Sequence, residues 1–73
     1  MSNLSTSLGI AIKLARKKAG LTQQQLADLA AMTNRDISAI ENGKRSLSTP
    51  LIERLARALN MSVEVVFTEQ KPE

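Results

Sequence analysis

The chain contains no cysteine and no histidine. No disulfide can staple it and no thiolate or imidazole can hold zinc, so two devices that stabilise many very small domains are excluded. The same absence removes the familiar Ser–His and Cys–His pairings of nucleophilic catalysis. The carboxylates fall at helix caps and exposed helical positions, and no glycine-rich phosphate loop is present. An enzyme is not expected, nor a metal or other cofactor. Tryptophan and tyrosine are missing too, and Phe67 is the only aromatic residue, which leaves an aliphatic core. Hydrophobic runs are too short to span a bilayer. Residues 1–7 are polar and lack the charged-then-apolar pattern of a signal peptide. The expectation is a cytoplasmic, nucleoid-associated protein.

What remains is a basic, aliphatic chain of 73 residues with a net charge of +3. That length suits a single domain whose core is marginal without help, and oligomerisation is the remaining source of it. The charge is unevenly spread. Residues 1–45 carry Lys13, Arg16, Lys17, Lys18, Arg35, Lys44 and Arg45 against Asp28, Asp36 and Glu41. Residues 46–73 carry Arg54, Arg57 and Lys71 against Glu53, Glu64, Glu69 and Glu73. A basic half beside a near-neutral one suggests a phosphate-facing side and a different task at the other end, with solvated surface charge as the plainer alternative.

The chain reads as short helices punctuated by caps. Leu8, Ile12, Ala15 and Ala19 recur at helical spacing and Gly20 supplies a stop, giving a first helix over about 7–19. Thr22-Gln23-Gln24-Gln25 is a capping box, with Leu21 and Leu26 placed as its hydrophobic staple. It opens a second helix over about 23–30. Thr33-Asn34-Arg35-Asp36 repeats the device, with Met32 and Ile37 as staple, and the third helix ends at Gly43. Two short helices joined by so few residues must cross steeply, which is a helix-turn-helix. A fourth helix follows, capped by Ser48 or Thr49, with Leu51, Ile52, Leu55, Ala56 and Leu59 as its apolar stripe and Asn60 as a stop.

The ending is open to two readings. Residues 62–67 could form a short fifth helix capped by Ser62. The alternation of Val63, Val65 and Phe67 with Ser62, Glu64 and Val66, and the dominance of β-branched residues, favour a strand, whose partner would be the same strand of a second copy. The expected organisation is therefore one domain over 1–73, with a core over about 7–60, a dimerisation segment over about 61–68 and a tail over 69–73. Val63, Val65, Val66 and Phe67 are the candidate dimer-interface residues.

Residues 21–44 resemble the helix-turn-helix of the Xre family, the lambda-repressor-like fold of phage Cro and repressor proteins. Thr22-Gln23, Leu26-Ala27, Ile37-Ser38, Ile40-Glu41 and Asn42-Gly43-Lys44 carry the likeness, which extends from about Leu8 to Phe67. The implied fold is mainly all-α, a four- to five-helix domain. One departure is Ala31, where the family commonly has glycine; a left-handed alanine there would cost roughly 1 kcal/mol. Within the family the chain looks most like HipB-type antitoxins, the DNA-binding partners of HipA-like kinases, because of Ile12-Lys13-Leu14-Ala15-Arg16-Lys17 and the strand-like ending. In such proteins the C-terminal strand pairs across the dimer.

The resemblance implies a third helix seated in the major groove of double-stranded DNA. Its N-terminal residues would meet base edges: Asn34, Arg35, Thr33 and Ser38, with Ala39 offering a methyl contact. Arginine suits guanine and asparagine suits adenine, whereas the Thr33 hydroxyl is already engaged in capping. Thr22, Gln23, Asn42, Lys44 and Arg45 are the candidate phosphate contacts. For Lys44 and Arg45, solvated loop charge is an equally good explanation. The resemblance also implies a structural ion pair between Arg16 and Glu41. Ile10 and Leu14 form a second apolar stripe on the first helix, away from the core, suited to the C-terminal segment or to a partner protein.

The function expected is that of a sequence-specific transcriptional regulator, an operator-binding autorepressor acting as a HipB-like antitoxin. Its partners would be an inverted-repeat operator, a second copy of itself and a HipA-like kinase toxin. The alternatives are a phage-type repressor or a restriction–modification controller without a toxin partner and, in another class, a protein-interaction module.

Overall fold

The structure, a computed structural model, describes the backbone of residues 4–70 and the side chains of residues 6–60. Four helices follow one another: α1 (Leu4–Lys18), α2 (Gln23–Ala30), α3 (Asn34–Glu41) and α4 (Thr49–Gln70). Both capping boxes form. Thr22 accepts from the N–H of Gln25 and Thr33 from that of Asp36, while Gln25 and Asp36 reach back to the N–H groups of their capping threonines. Ser48 caps α4, its hydroxyl oxygen accepting from Leu51 N–H.

The three shorter helices end alike. In each, an N–H reaches back across the last turn, from Leu21 to Arg16, from Met32 to Ala27 and from Lys44 to Ala39. The residue before each of these donors is left-handed: Gly20 at φ +75°, Ala31 at +58° and Gly43 at +71°. This is the Schellman arrangement, which satisfies carbonyls that the helix itself leaves open.

Leu26, Ala27 and Ala30 of α2, Ile37 and Ile40 of α3, and Leu55 and Ala58 of α4 make the core, and Ile12, Leu21, Met32, Leu47 and Leu59 pack around it. Full burial of a Leu or Ile contributes about 1.5–3 kcal/mol, and Leu26, Ile37, Ile40 and Leu55 are the largest such side chains. They come from α2, α3 and α4, so the core locks α3 to its neighbours. Ile10 and Leu14 lie exposed on α1.

Three expectations need correcting. α1 starts at Leu4, about a turn before position 7, because nothing in Ser5-Thr6-Ser7 interrupts it. In α4 the core-facing residues are Leu55 and Ala58; Ile52 and Ala56 are exposed and border an apolar cleft of about 150 Å³ against Ile12 and Ala15. Lastly, residues 62–67 are neither a strand nor a separate fifth helix: α4 runs through Asn60 to Gln70 without a break. No glycine or proline lies between Leu51 and Gln70 to stop it. A lone strand would leave its backbone groups unpaired, whereas a helix satisfies them within its own segment. The side chains of Val63, Val65, Val66 and Phe67 lie outside the described residues.

Candidate nucleic-acid interface

α3 is eight residues long and has two different sides. Successive residues turn by about 100°, so Ile37, Ile40 and Glu41 share one side and Asn34, Arg35, Ser38 and Ala39 the other. Ile37, Ile40 and Glu41 are buried; Asn34 and Arg35 are exposed, and Ser38 and Ala39 are half-buried. Thr33 is exposed, but its hydroxyl oxygen already accepts from Asp36 N–H at 3.0 Å. Of the five candidate base-reading residues, Thr33, Asn34 and Arg35 are thus exposed at the start of α3, and Ser38 and Ala39 are half-buried on the same side of the helix. The N–H groups of Asn34 and Arg35, being first in the helix, have no helical acceptor and add positive potential there.

On the opposite side of α3 sits a buried polar cluster. Arg16 donates from Nε to Glu41 Oε2 at 2.6 Å and from Nη2 to Oε1 at 3.1 Å. Its Nη1 donates to the carbonyl of Leu21 at 2.8 Å. Gln23 completes the set, its Nε2 donating to Glu41 Oε1 at 3.0 Å. An arginine cannot shed its charge, so burial requires such partners. Glu41 is only 6% exposed. Burial alone would raise its pKa, but the hydrogen bonds from Arg16 and Gln23 and the nearby Arg16 charge outweigh it and hold the carboxyl below its ordinary range. The cluster ties α1, the start of α2 and the end of α3 together.

The candidate phosphate contacts are placed around this frame. Gln23 commits one N–H of its side-chain amide to Glu41, and its backbone N–H, first in α2 and next to the exposed cap Thr22, has no acceptor within the helix. Asn42 and Lys44 are exposed after α3. Arg45 is not a free loop charge: its Nη1 donates to Asp36 Oδ1 at 2.6 Å. The backbone and side-chain hydrogen bonds from Thr33 and the Arg45 charge hold the Asp36 carboxyl below the usual range.

Two features escaped the sequence reading. A Cβ on Gly9 would come within 2.2 Å of the Ile40 carbonyl oxygen, so α1 crosses the end of α3 with backbone nearly touching backbone. A glycine inside a helical pattern is the available signal for such an approach. The Arg45–Asp36 bond gives no signal at nine residues' separation outside a helix.

Two short, capped helices joined by a tight left-handed turn at Ala31, with the second exposing polar residues at its start, are the pattern of a helix-turn-helix. The HTH_3 model, described as helix-turn-helix, matches residues 12–66. The chain belongs to this helix-turn-helix family. Its fold and the residues that carry the Xre-like resemblance agree with that membership, and an HTH-type transcriptional regulator of Methanothermobacter thermautotrophicus, 42% identical over 57 residues, is among its relatives, covering 77% of this chain and 83% of that protein.

Among relatives, the Competence pilus inhibition repressor of Acinetobacter baylyi is 43% identical over 60 residues, covering 82% of this chain and 54% of that protein. Antitoxin PezA of Streptococcus pneumoniae is 34% identical over 64 residues, covering 88% of this chain and 40% of PezA. The chain thus spans about half the length, or less, of these two relatives. Among solved structures, the restriction–modification controller protein C.AhdI from Aeromonas hydrophila aligns with a TM-score of 0.75 at 30% identity, over 77% of this chain and 81% of that one. Among the described residues, no helix is long and apolar enough to cross a membrane.

Proposed function

We propose that the chain is an operator-binding repressor that acts as a homodimer and reads one half-site with each copy of α3. The observation that carries this is the solvent-facing side of α3 formed by Asn34, Arg35, Ser38 and Ala39, opposite a buried side on which Glu41 is held by Arg16 and Gln23. Arg35 and Asn34 read bases, Ser38 and Thr33 assist, and the Ala39 methyl can meet thymine. Thr22, the N–H of Gln23, Asn42, Lys44 and Arg45 hold the backbone phosphates on either side. Bound over a promoter, two copies would exclude polymerase.

The helical course of α4 supports a helix-to-helix dimer rather than paired strands. Ile52, Ala56, Leu59, Val63 and Val66 follow the alternating four- and three-residue spacing of a coiled-coil seam. Organisation as one domain, with residues 61–68 serving dimerisation, remains consistent with this arrangement. The same helix removes the strand-like ending that had favoured a HipB-type antitoxin with a HipA-like kinase partner. An antitoxin role is kept as a second reading because PezA is among the relatives.

The decisive experiment is selection of binding sites from random duplex DNA at two salt concentrations. An inverted repeat with half-sites about 34–36 Å apart, bound more weakly at higher salt, is the expected result. Failure to enrich any sequence would leave a protein-interaction module. Arg35→Ala should relax preference at one base position of the recovered site, a loss of about 1–3 kcal/mol in discrimination, and leave affinity for mixed-sequence DNA nearly unchanged. A uniform loss on all sequences would assign Arg35 to the phosphates.

A further inference from the structure

Asp36 is out of place on a helix whose start should meet a polyanion. It stands next to Arg35 in the first turn of α3. A capping role accounts for one of its oxygens, Oδ2, which accepts from the N–H of Thr33 at 3.2 Å. Its other oxygen, Oδ1, takes the Nη1 of Arg45 at 2.6 Å, and the two side chains are 34% and 39% exposed. Among the described residues Arg45 makes no other side-chain hydrogen bond. A guanidinium has five N–H donors in a rigid fork, so most of them point elsewhere.

Held by one corner, such a fork loses less freedom when the rest of it is engaged. We propose that Asp36 is a positioning residue for Arg45, anchoring one corner of the guanidinium so that its remaining N–H groups meet a backbone phosphate beside the start of α3. The carboxylate is then part of the phosphate clamp, and its own charge is offset by Arg45 and by the helix start. This rests on the operator-binding reading above.

The sign of one substitution separates this from simple charge repulsion. Asp36→Asn removes a negative charge yet keeps an oxygen for the N–H of Thr33. Repulsion alone predicts tighter DNA binding; loss of an anchor predicts weaker binding. The measurement is the affinity of the full chain, Asp36→Asn, Arg45→Ala and the double variant across a salt series. The probes are the duplex recovered by site selection and a mixed-sequence duplex of the same length.

Arg45→Ala is expected to weaken both duplexes about tenfold and to make the salt dependence shallower by about one unit of slope. Asp36→Asn is expected to weaken binding about threefold or more when Arg45 is present and to strengthen it or leave it unchanged when Arg45 is absent. Tighter binding in both backgrounds, or equal weakening in both, overturns the proposal. If Asp36→Asn melts within the assay range, Arg45→Lys tests the same point, since it keeps the charge but not the fork. Weaker affinity at a nearly unchanged salt slope is then expected, and affinity equal to the unmodified chain overturns it. Absence of salt-dependent binding by the unmodified chain would overturn the operator reading itself, before any variant is made.

Discussion

Ala31 occupies a position that the chain elsewhere gives to glycine. At the ends of α1 and α3 the left-handed residue is Gly20 or Gly43, whereas at the end of α2 it is alanine at φ +58° and ψ +46°. A Cβ in that conformation crowds the following carbonyl at a cost of roughly 1–2 kcal/mol. Ala31 is exposed and buries nothing that its removal would uncover. Ala31→Gly is therefore expected to stabilise the fold by about 1 kcal/mol, read as a rise of roughly 4–8 °C in melting temperature. Glu41 behaves in the opposite way. Glu41→Gln would leave the buried Arg16 without its counter-charge, a loss of about 3–5 kcal/mol. Its carboxyl, like that of Asp36, titrates below the usual range in the folded chain. Stability from a depressed carboxylate pKa is fully present above the unfolded value, near 4.3 for glutamate, and is lost as pH falls through the lower folded value. Thermal melts should thus change little in these two contributions between about pH 7 and pH 5, and fall below about pH 4. A melting temperature independent of pH in that acidic range would contradict the role given to the pair.

At the scale of elements, the recognition helix is aimed by its neighbours more than by its own sequence. Gly9 lets α1 lie against the last turn of α3, since any Cβ there meets the Ile40 carbonyl oxygen at 2.2 Å and the Glu41 carbonyl oxygen at 3.1 Å. Gly9→Ala improves helix propensity by about 1 kcal/mol but forces two backbones apart, an overpacking cost of about 1–3 kcal/mol or more. Net destabilisation of about 1–2 kcal/mol is expected, together with weaker operator binding because α3 is displaced. Denaturant titration and a binding isotherm check both parts. This contact also marks how much of the molecule was legible beforehand. Capping boxes act within four residues, so the starts of α2 and α3 followed from Thr22-Gln25 and Thr33-Asp36 alone. Contacts such as Gly9 with Ile40, Gln23 with Glu41 and Arg45 with Asp36 depend on how helices cross, and no local rule reports that. The pairing of Arg16 with Glu41 could be anticipated only through the family resemblance. The C-terminal segment was misleading for another reason: its β-branched alternation suits a strand, but a strand needs a partner, and the unbroken run from Leu51 lets the helix continue instead.

For the whole molecule, the question is what a core this small can hold. Among the described residues, every large, fully buried side chain comes from α2, α3 or α4, the last of them being Leu55, so a chain ending at Asn60 keeps all of these. It would lose positions 63 and 66 of the heptad spacing that Ile52, Ala56 and Leu59 begin. Truncation after Asn60 is therefore expected to leave a folded monomer, whereas the full chain self-associates. The two differ in a way that melting reveals: association raises the full chain's melting temperature as protein concentration increases, and a monomer's does not change. Operator binding should weaken on truncation by far more than the loss of any single phosphate contact, because two half-sites would no longer be engaged by one linked pair. Sedimentation equilibrium on both chains checks the association directly. A truncated chain that remains dimeric would confine the interface to Ile52, Ala56, Leu59 and the α1 residues that share their cleft, whereas a full chain that is monomeric and still binds an inverted repeat would make the DNA itself the element that brings two copies together.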